Sequence, residues 1–190
     1  MMGRRSLKAE NVEKILNAFE TCIEGHGLKG ATMERVAEQA KMDRRMISHY
    51  LGKREELVSA LVKRILSEFG ANAFDQITDI NGLDELLAYY FSEEFNYHPK
   101  AKLIAALLPE AINNQSIRTV VKSIYDSMHL SLEVRILKER PQINADIAKQ
   151  TAFSIMCLAF GGGWMINIGF PLPNNRNNLN IARKLIDELK

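Results

Sequence analysis

Between Thr32 and Leu51 the sequence pattern has room for two short helices and a two-residue turn, and little else. Thr32 is a good N-cap for a helix that carries Val36, Ala37 and Ala40 inward. Asp43 caps a second helix running to about Leu51, with Met42, Ile47 and Leu51 as its apolar contacts, and only Lys41 and Met42 separate the two. That is the layout of a helix-turn-helix, whose second helix enters the major groove while the first crosses the backbone. With Ile47 inward, the opposite face of the second helix exposes Arg44, Arg45, Ser48 and His49. Arginine near the helix start can pair bidentately with guanine O6 and N7, whereas serine, histidine and the neighbouring Tyr50 suit phosphate oxygens or either base edge. Lys53 and Arg54, and ahead of the first helix Arg4, Arg5 and Lys8, add possible phosphate contacts.

The remainder also reads as helical, with no repeat and no strand-like alternation. Val12, Ile15, Leu16, Phe19 and Ile23 form one face of a first helix stopped by Gly25-His26-Gly27. A fourth helix from about Lys53 presents Leu57, Leu61 and Ile65 at four-residue steps and continues to about Phe74, long enough to join two halves of the molecule. Asn81-Gly82 reads as a turn, and helices are expected over about 83 to 97, over 100 to 112 with an interruption at Pro109, over 114 to 139, and over 144 to 169. A polar loop over 174 to 178 then leads to a last helix marked by Leu179, Ala182, Ile186 and Leu189.

Charge is distributed in keeping with this division. Residues 1 to 64 hold 13 Lys and Arg against 9 Asp and Glu, while the whole chain holds 25 against 23, so the N-terminal third is the basic part. A charged N-terminus unlike a secretory leader, and no uncharged apolar run of spanning length, point to a soluble cytoplasmic protein without a membrane partner. Cys22 and Cys157 sit in apolar helical patterns without Cys-x-x-Cys spacing and are expected as buried free thiols. The four histidines are scattered, no serine lies in a nucleophile elbow, and His129 with Glu133 is a lone i, i+4 pair. No metal, cofactor or enzymatic activity is expected.

The run Ile15-Leu16-Asn17-Ala18-Phe19, then Gly27-Leu28, Ala31-Thr32, Val36-Ala37-Glu38, Ala40, Ile47-Ser48-His49-Tyr50-Leu51 and Arg54-Glu55-Glu56-Leu57 resembles the DNA-binding domain of the tetracycline-repressor (TetR) family over about residues 10 to 60. The resemblance implies an all-α fold: a three-helix head over residues 1–56, joined by a long helix to a helical effector-binding and dimerisation body over 57–190. It implies that Thr32 touches phosphate, that Arg44, Arg45, Met46 and Ser48 face bases, and that His49, Tyr50 and Arg54 hold the DNA backbone. Ile-Ser-His-Tyr is similar to the choline-responsive branch of that family, which by itself carries no ligand across. Lys41 stands where the family usually has glycine, in a left-handed turn that costs lysine about 1 kcal/mol. Ser48 replaces a frequent aromatic, and Arg45 a small residue.

In the body, Ala148, Ala152, Ile155, Ala159, Gly162, Ile166 and Gly169 form a stripe on one face of a helix whose other face carries Phe153, Met156, Phe160 and Trp164. One face covers the chain's own core, and the small-residue stripe is expected to meet a second subunit. Members of the family usually dimerise through their last two helices; a wholly internal helix is the other reading. Tyr89, Phe95, Tyr125, Met128, Phe160 and Trp164 could line an effector pocket or be ordinary core, with Glu93, Glu94 or His129 supplying polarity. The expected partners are palindromic duplex DNA, a second copy of the chain and a small-molecule effector; a DNA-binding architectural protein without effector is the alternative.

Overall fold

A computed structural model describes residues 3–69, 80, 82–170 and 175–189, excepting the side chains of residues 3–6, 68, 69, 99, 166, 167, 175 and 176. Among the described residues the structure is helical: α1 (Gly3–Gly30), α2 (Met33–Ala40), α3 (Arg44–Leu51), α4 (Arg54–Phe69), α5 (Leu83–Tyr90), α6 (Glu93–Asn96), α7 (Pro99–Ala111), α8 (Gln115–Glu139), α9 (Ala145–Asn167) and α10 (Asn175–Asp187). Their contacts form two units, residues 1–68 with 102–122, and 69–101 with 123–190. The second segment of the first unit comprises most of α7 and the first turns of α8.

In the first unit α1 packs on α2 and α3. Ile15, Phe19, Ile23, Val36, Ile47, Leu57, Leu61 and Ile65 are fully or almost fully buried, as their helical spacing requires. Each contributes about 1.5–3 kcal/mol of apolar burial. The expected stop of the first helix appears as a break inside α1, at Gly27 with φ 67°. Arg64 of α4 is also buried. It reaches Asn17 Oδ1 at 2.7 Å, Glu13 Oε2 at 3.1 Å and Glu20 Oε1 at 2.5 Å, so a charge that would be costly alone is met by two carboxylates of α1.

In the second unit α9 packs on α10, and α10 and α6 on α5. The helix expected over 83 to 97 is divided, because Ser92 takes an extended conformation and its Oγ accepts from Phe95 N at 3.1 Å, capping a new turn. The interruption expected at Pro109 does not occur: α7 begins at one proline and runs past the other. Pro109 stands in the last turn, so the one bond its missing N–H forgoes, to the carbonyl four residues back, is among the last of the helix. Helix α10 begins at Asn175, inside the expected polar loop. The extension of α4 beyond Phe69, Asn81 of the expected turn, and residues 171–174 lie outside the described residues.

Candidate nucleic-acid interface

Thr32 takes an extended conformation and its Oγ1 accepts from Arg35 N at 3.3 Å, which caps α2 and leaves the hydroxyl proton free to donate outward. Asp43 does the same for α3, accepting from Arg45 N at 2.7 Å. The turn between them rests on Lys41, whose φ of 51° and ψ of 49° are left-handed; its N–H donates to Glu38 O, and Met42 N donates to Ala37 O at 3.0 Å. These are the paired bonds that close a helix on a left-handed residue, normally a glycine.

The capping sets the rotation of α3. Ile47 is fully buried, Tyr50 and Leu51 are half-buried, and Arg44, Arg45, Met46, Ser48 and His49 are all exposed. Tyr50 is turned against α1, its hydroxyl accepting from Asn11 Nδ2 at 3.0 Å, while its ring meets the His49 ring edge-on at 5.3 Å.

Beside this face lies an open concavity of about 410 Å³ lined by Lys29, Thr32, Met33, Glu34, Arg44, Ser48, Lys53, Arg54 and Glu55. The first residues of α2, α3 and α4 all contribute to it. Helix N-termini carry partial positive charge and unsatisfied N–H groups, so three of them together with lysine and arginine suit a phosphate. The cations are not equally available. Lys53 is exposed and its backbone N–H donates to Glu56 Oε2 at 2.9 Å. Arg54 points inward instead: Nη1 donates to Ala31 O at 2.5 Å and Nη2 to Leu28 O. Lys29 is 3.6 Å from Glu110 of α7, and Arg44 is 2.7 Å from Glu34 of α2. Sequence reasoning did not find Glu34 or the inward turn of Arg54, since neither follows from helical spacing. Lys8 is exposed, and the side chains of Arg4 and Arg5 lie outside the described residues.

Residues 15–61, which hold this arrangement, match the model for bacterial regulatory proteins of the tetR family. The head is thus a DNA-binding domain of the tetR type. The chain is similar over its whole length to the HTH-type transcriptional regulators BetI of Burkholderia mallei (strain NCTC 10229) and Burkholderia pseudomallei (strain K96243). The identity is 22% over 195 residues in each case, covering 99% of this chain and 96% of the relative. The fold is that of solved regulators. A TetR transcription regulator from Haloarcula marismortui ATCC 43049 superposes with a TM-score of 0.74 at 14% identity, over 95% of this chain and 98% of that one. Reduced NemR of E. coli superposes with 0.65 at 16%, over 93% and 97%. The regulator is thus a DNA-binding transcription factor with a helix-turn-helix head and a helical body. No helix among its described residues is long and apolar enough to cross a membrane, and none of those residues form a metal-binding group.

In the second unit four of the six expected effector residues share one aromatic chain. Tyr89 meets Phe95 with ring centroids 5.4 Å apart, Phe95 meets Phe160 at 5.9 Å, and Phe160 meets Tyr125 edge-on at 4.8 Å. Met128 is buried. Tyr90 joins the cluster through Phe95 at 5.3 Å and is 1% exposed, yet its hydroxyl has no hydrogen-bond partner among the described residues. Burial pushes its acidity far down, against the opposing charge of Arg135, so the group is a neutral phenol. Trp164 is elsewhere, half exposed on the outer face of α9; Glu93 and Glu94 are exposed, and His129 contacts Lys149 O at 2.9 Å.

The two faces of α9 are opposite to expectation. Ala148, Ala152, Ile155, Ala159 and Gly162 are buried within the chain itself, whereas Phe153 is 63% exposed and Cys157, Gly161 and Trp164 are exposed along the same side. Small residues let helices of the same chain approach closely, and spacing alone does not say which neighbour they meet. Met156 and Phe160, between the faces, turn inward. Cys22 is buried as expected; Cys157 is not.

Proposed function

We propose that this regulator is a cytoplasmic homodimeric repressor that leaves a near-palindromic operator when a small molecule binds its body. The observation that carries the DNA reading is the composition of α3: one fully buried residue, Ile47, and five exposed ones. Arg44, Arg45, Met46 and Ser48 read bases, and Thr32, His49, Tyr50 and Lys53 hold phosphates, with Arg54 acting from behind by tying α4 to the segment before α2.

The exposed side of α9, Phe153 to Trp164, together with Ile181 of α10, supports dimerisation through these two helices, since large apolar side chains in line mark a surface that another protein covers. For the effector, support comes from Tyr90. A buried hydroxyl without a partner costs about 1–3 kcal/mol, and a ligand with a hydrogen-bonding group among Tyr89, Phe95, Tyr125, Met128 and Phe160 would remove that cost. The aromatic faces also suit a quaternary amine. Trp164 then reports on the dimer contact or on a ligand near it. Because Arg64 ties α4 to α1, movement of α4 is movement of the head, and release by about 100-fold requires a ligand preference of about 2.7 kcal/mol for the non-binding state.

The test is selection of bound duplexes from a random pool, followed by titration of quaternary amines and other metabolites against the selected site with Trp164 fluorescence read in parallel. A two-fold symmetric site released by one such compound is the expected result. Selection of no preferred sequence would instead favour an architectural DNA-binding protein.

A further inference from the structure

Glu34 is the second residue of α2 and Arg44 the first of α3. Their side chains meet across the helix-turn-helix, with Arg44 Nη1 at 2.7 Å from Glu34 Oε1, although both are more than 60% exposed (64% and 62%). An ion pair so open to water adds little to stability, so it is a poor device for holding the head together. Its effect is on the guanidinium. Arg44 has a planar fork of five N–H donors, and engaging one arm with a carboxylate on the neighbouring helix removes much of the freedom of a long side chain. Arg45, the next residue, makes no ion pair among the described residues.

We propose that Glu34 is a positioning residue for sequence reading, which restrains Arg44 so that its remaining donors serve a base edge and its charge is withheld from phosphates. The inference rests on the assignment of α3 to the major groove. A carboxylate at salt-bridge distance largely neutralises Arg44 toward a polyanion, so on a random duplex Arg44 contributes little counterion release. A phosphate draws on the net charge of Arg44, which the carboxylate offsets. A guanine draws on the direction of its donors, because its O6 and N7 can accept from the free edge of the guanidinium while the carboxylate stays in place. Glu34 therefore lowers affinity for all DNA and lowers it least for the right sequence, which raises discrimination. The placement agrees with this: Glu34, Arg44 and Ser48 line the same concavity as Lys29, Thr32 and Lys53, where an unneutralised arginine would join a cluster of phosphate-binding groups.

The experiment compares the wild type with Glu34→Gln, Arg44→Ala and the double variant on two probes, a 30-base-pair duplex of random sequence and the site selected from the random pool, across a salt series. Both positions are exposed, and circular dichroism verifies the fold of each variant. Glu34→Gln is expected to bind the random duplex about 3–10-fold more tightly, with the salt slope steeper by up to about 1, as one further phosphate is neutralised. Affinity for the selected site rises less, so the specificity ratio falls. In the Arg44→Ala background the same substitution is expected to do nothing. Equal tightening with and without Arg44 would mean that Glu34 merely repels DNA and would overturn the proposal, as would unchanged or weaker binding of the random duplex by Glu34→Gln. Failure of the groove assignment itself looks different: Arg44→Ala alone would then leave the specificity ratio intact.

Discussion

The guanidinium of Arg54, on the first turn of α4, donates to the carbonyl of Ala31, the residue that leads into α2. With its second bond to Leu28 O it ties α4 to the end of α1 and to the connection before α2, and both bonds are charge-assisted and partly shielded from water. Arg54→Lys keeps the charge but not the fork, so it separates a clamp from a phosphate contact. We expect thermal melting to show a loss of about 1–3 kcal/mol for Arg54→Lys, with DNA binding weakened on all sequences alike. A lysine variant as stable as wild type would assign Arg54 to DNA instead.

Lys41 holds the only positive φ of a non-glycine residue among those described. Replacing it by glycine relieves the contact between Cβ and the backbone, partly offset by the greater freedom of an unfolded glycine. Lys41→Gly should therefore raise stability by about 0.5–1 kcal/mol in a denaturant titration, with operator specificity unchanged.

Phe153 and Trp164 lie on the outward side of α9. A charge placed there meets water in the monomer and an apolar partner in a dimer. Phe153→Glu is expected to give a monomer by sedimentation at micromolar concentration, with helical content retained and operator affinity lost. A dimer persisting in that variant would place the contact elsewhere. Leucine at Gly162, in contrast, would overpack the chain's own interior and lower stability without selecting against the dimer.

Asp84 of α5 accepts two bonds from Arg183 of α10, at 2.6 and 2.9 Å. The hydrogen bonds from Arg183 hold its carboxyl below the usual carboxylate range, against a smaller opposing effect of burial. A lowered folded-state pKa means that the contribution is present above the unfolded value of about 4 and is lost as pH falls through the folded one. Because the pair is largely exposed, Asp84→Asn should cost at most about 1 kcal/mol at pH 7. The gap between variant and wild type should close in melts below about pH 4, and a gap that widened in acid would contradict the sign.

Much of the head was legible because its signals are local. A cap at Thr32, a cap at Asp43 and a left-handed residue at Lys41 each act within a few residues, and together they determine where α2 and α3 begin and how α3 is rotated. Helical spacing likewise identified Ile15, Phe19, Ile47, Leu57, Leu61 and Ile65 as core, since a 3.6-residue period leaves each of them one side to occupy. Periodicity also showed that α9 is apolar all round. It could not say that Ala152 and Ala159 meet the chain's own helices and that Phe153 and Trp164 do not, because both faces satisfy the same pattern and only the placement of distant segments distinguishes them. The same holds for long polar side chains. Tertiary structure alone decided that Arg54 turns in to Leu28 and Ala31, that Arg44 meets Glu34, and that the hydroxyl of Tyr90 is buried beside Phe95 without a partner, since each outcome depends on which residues remote in sequence are brought within hydrogen-bond reach.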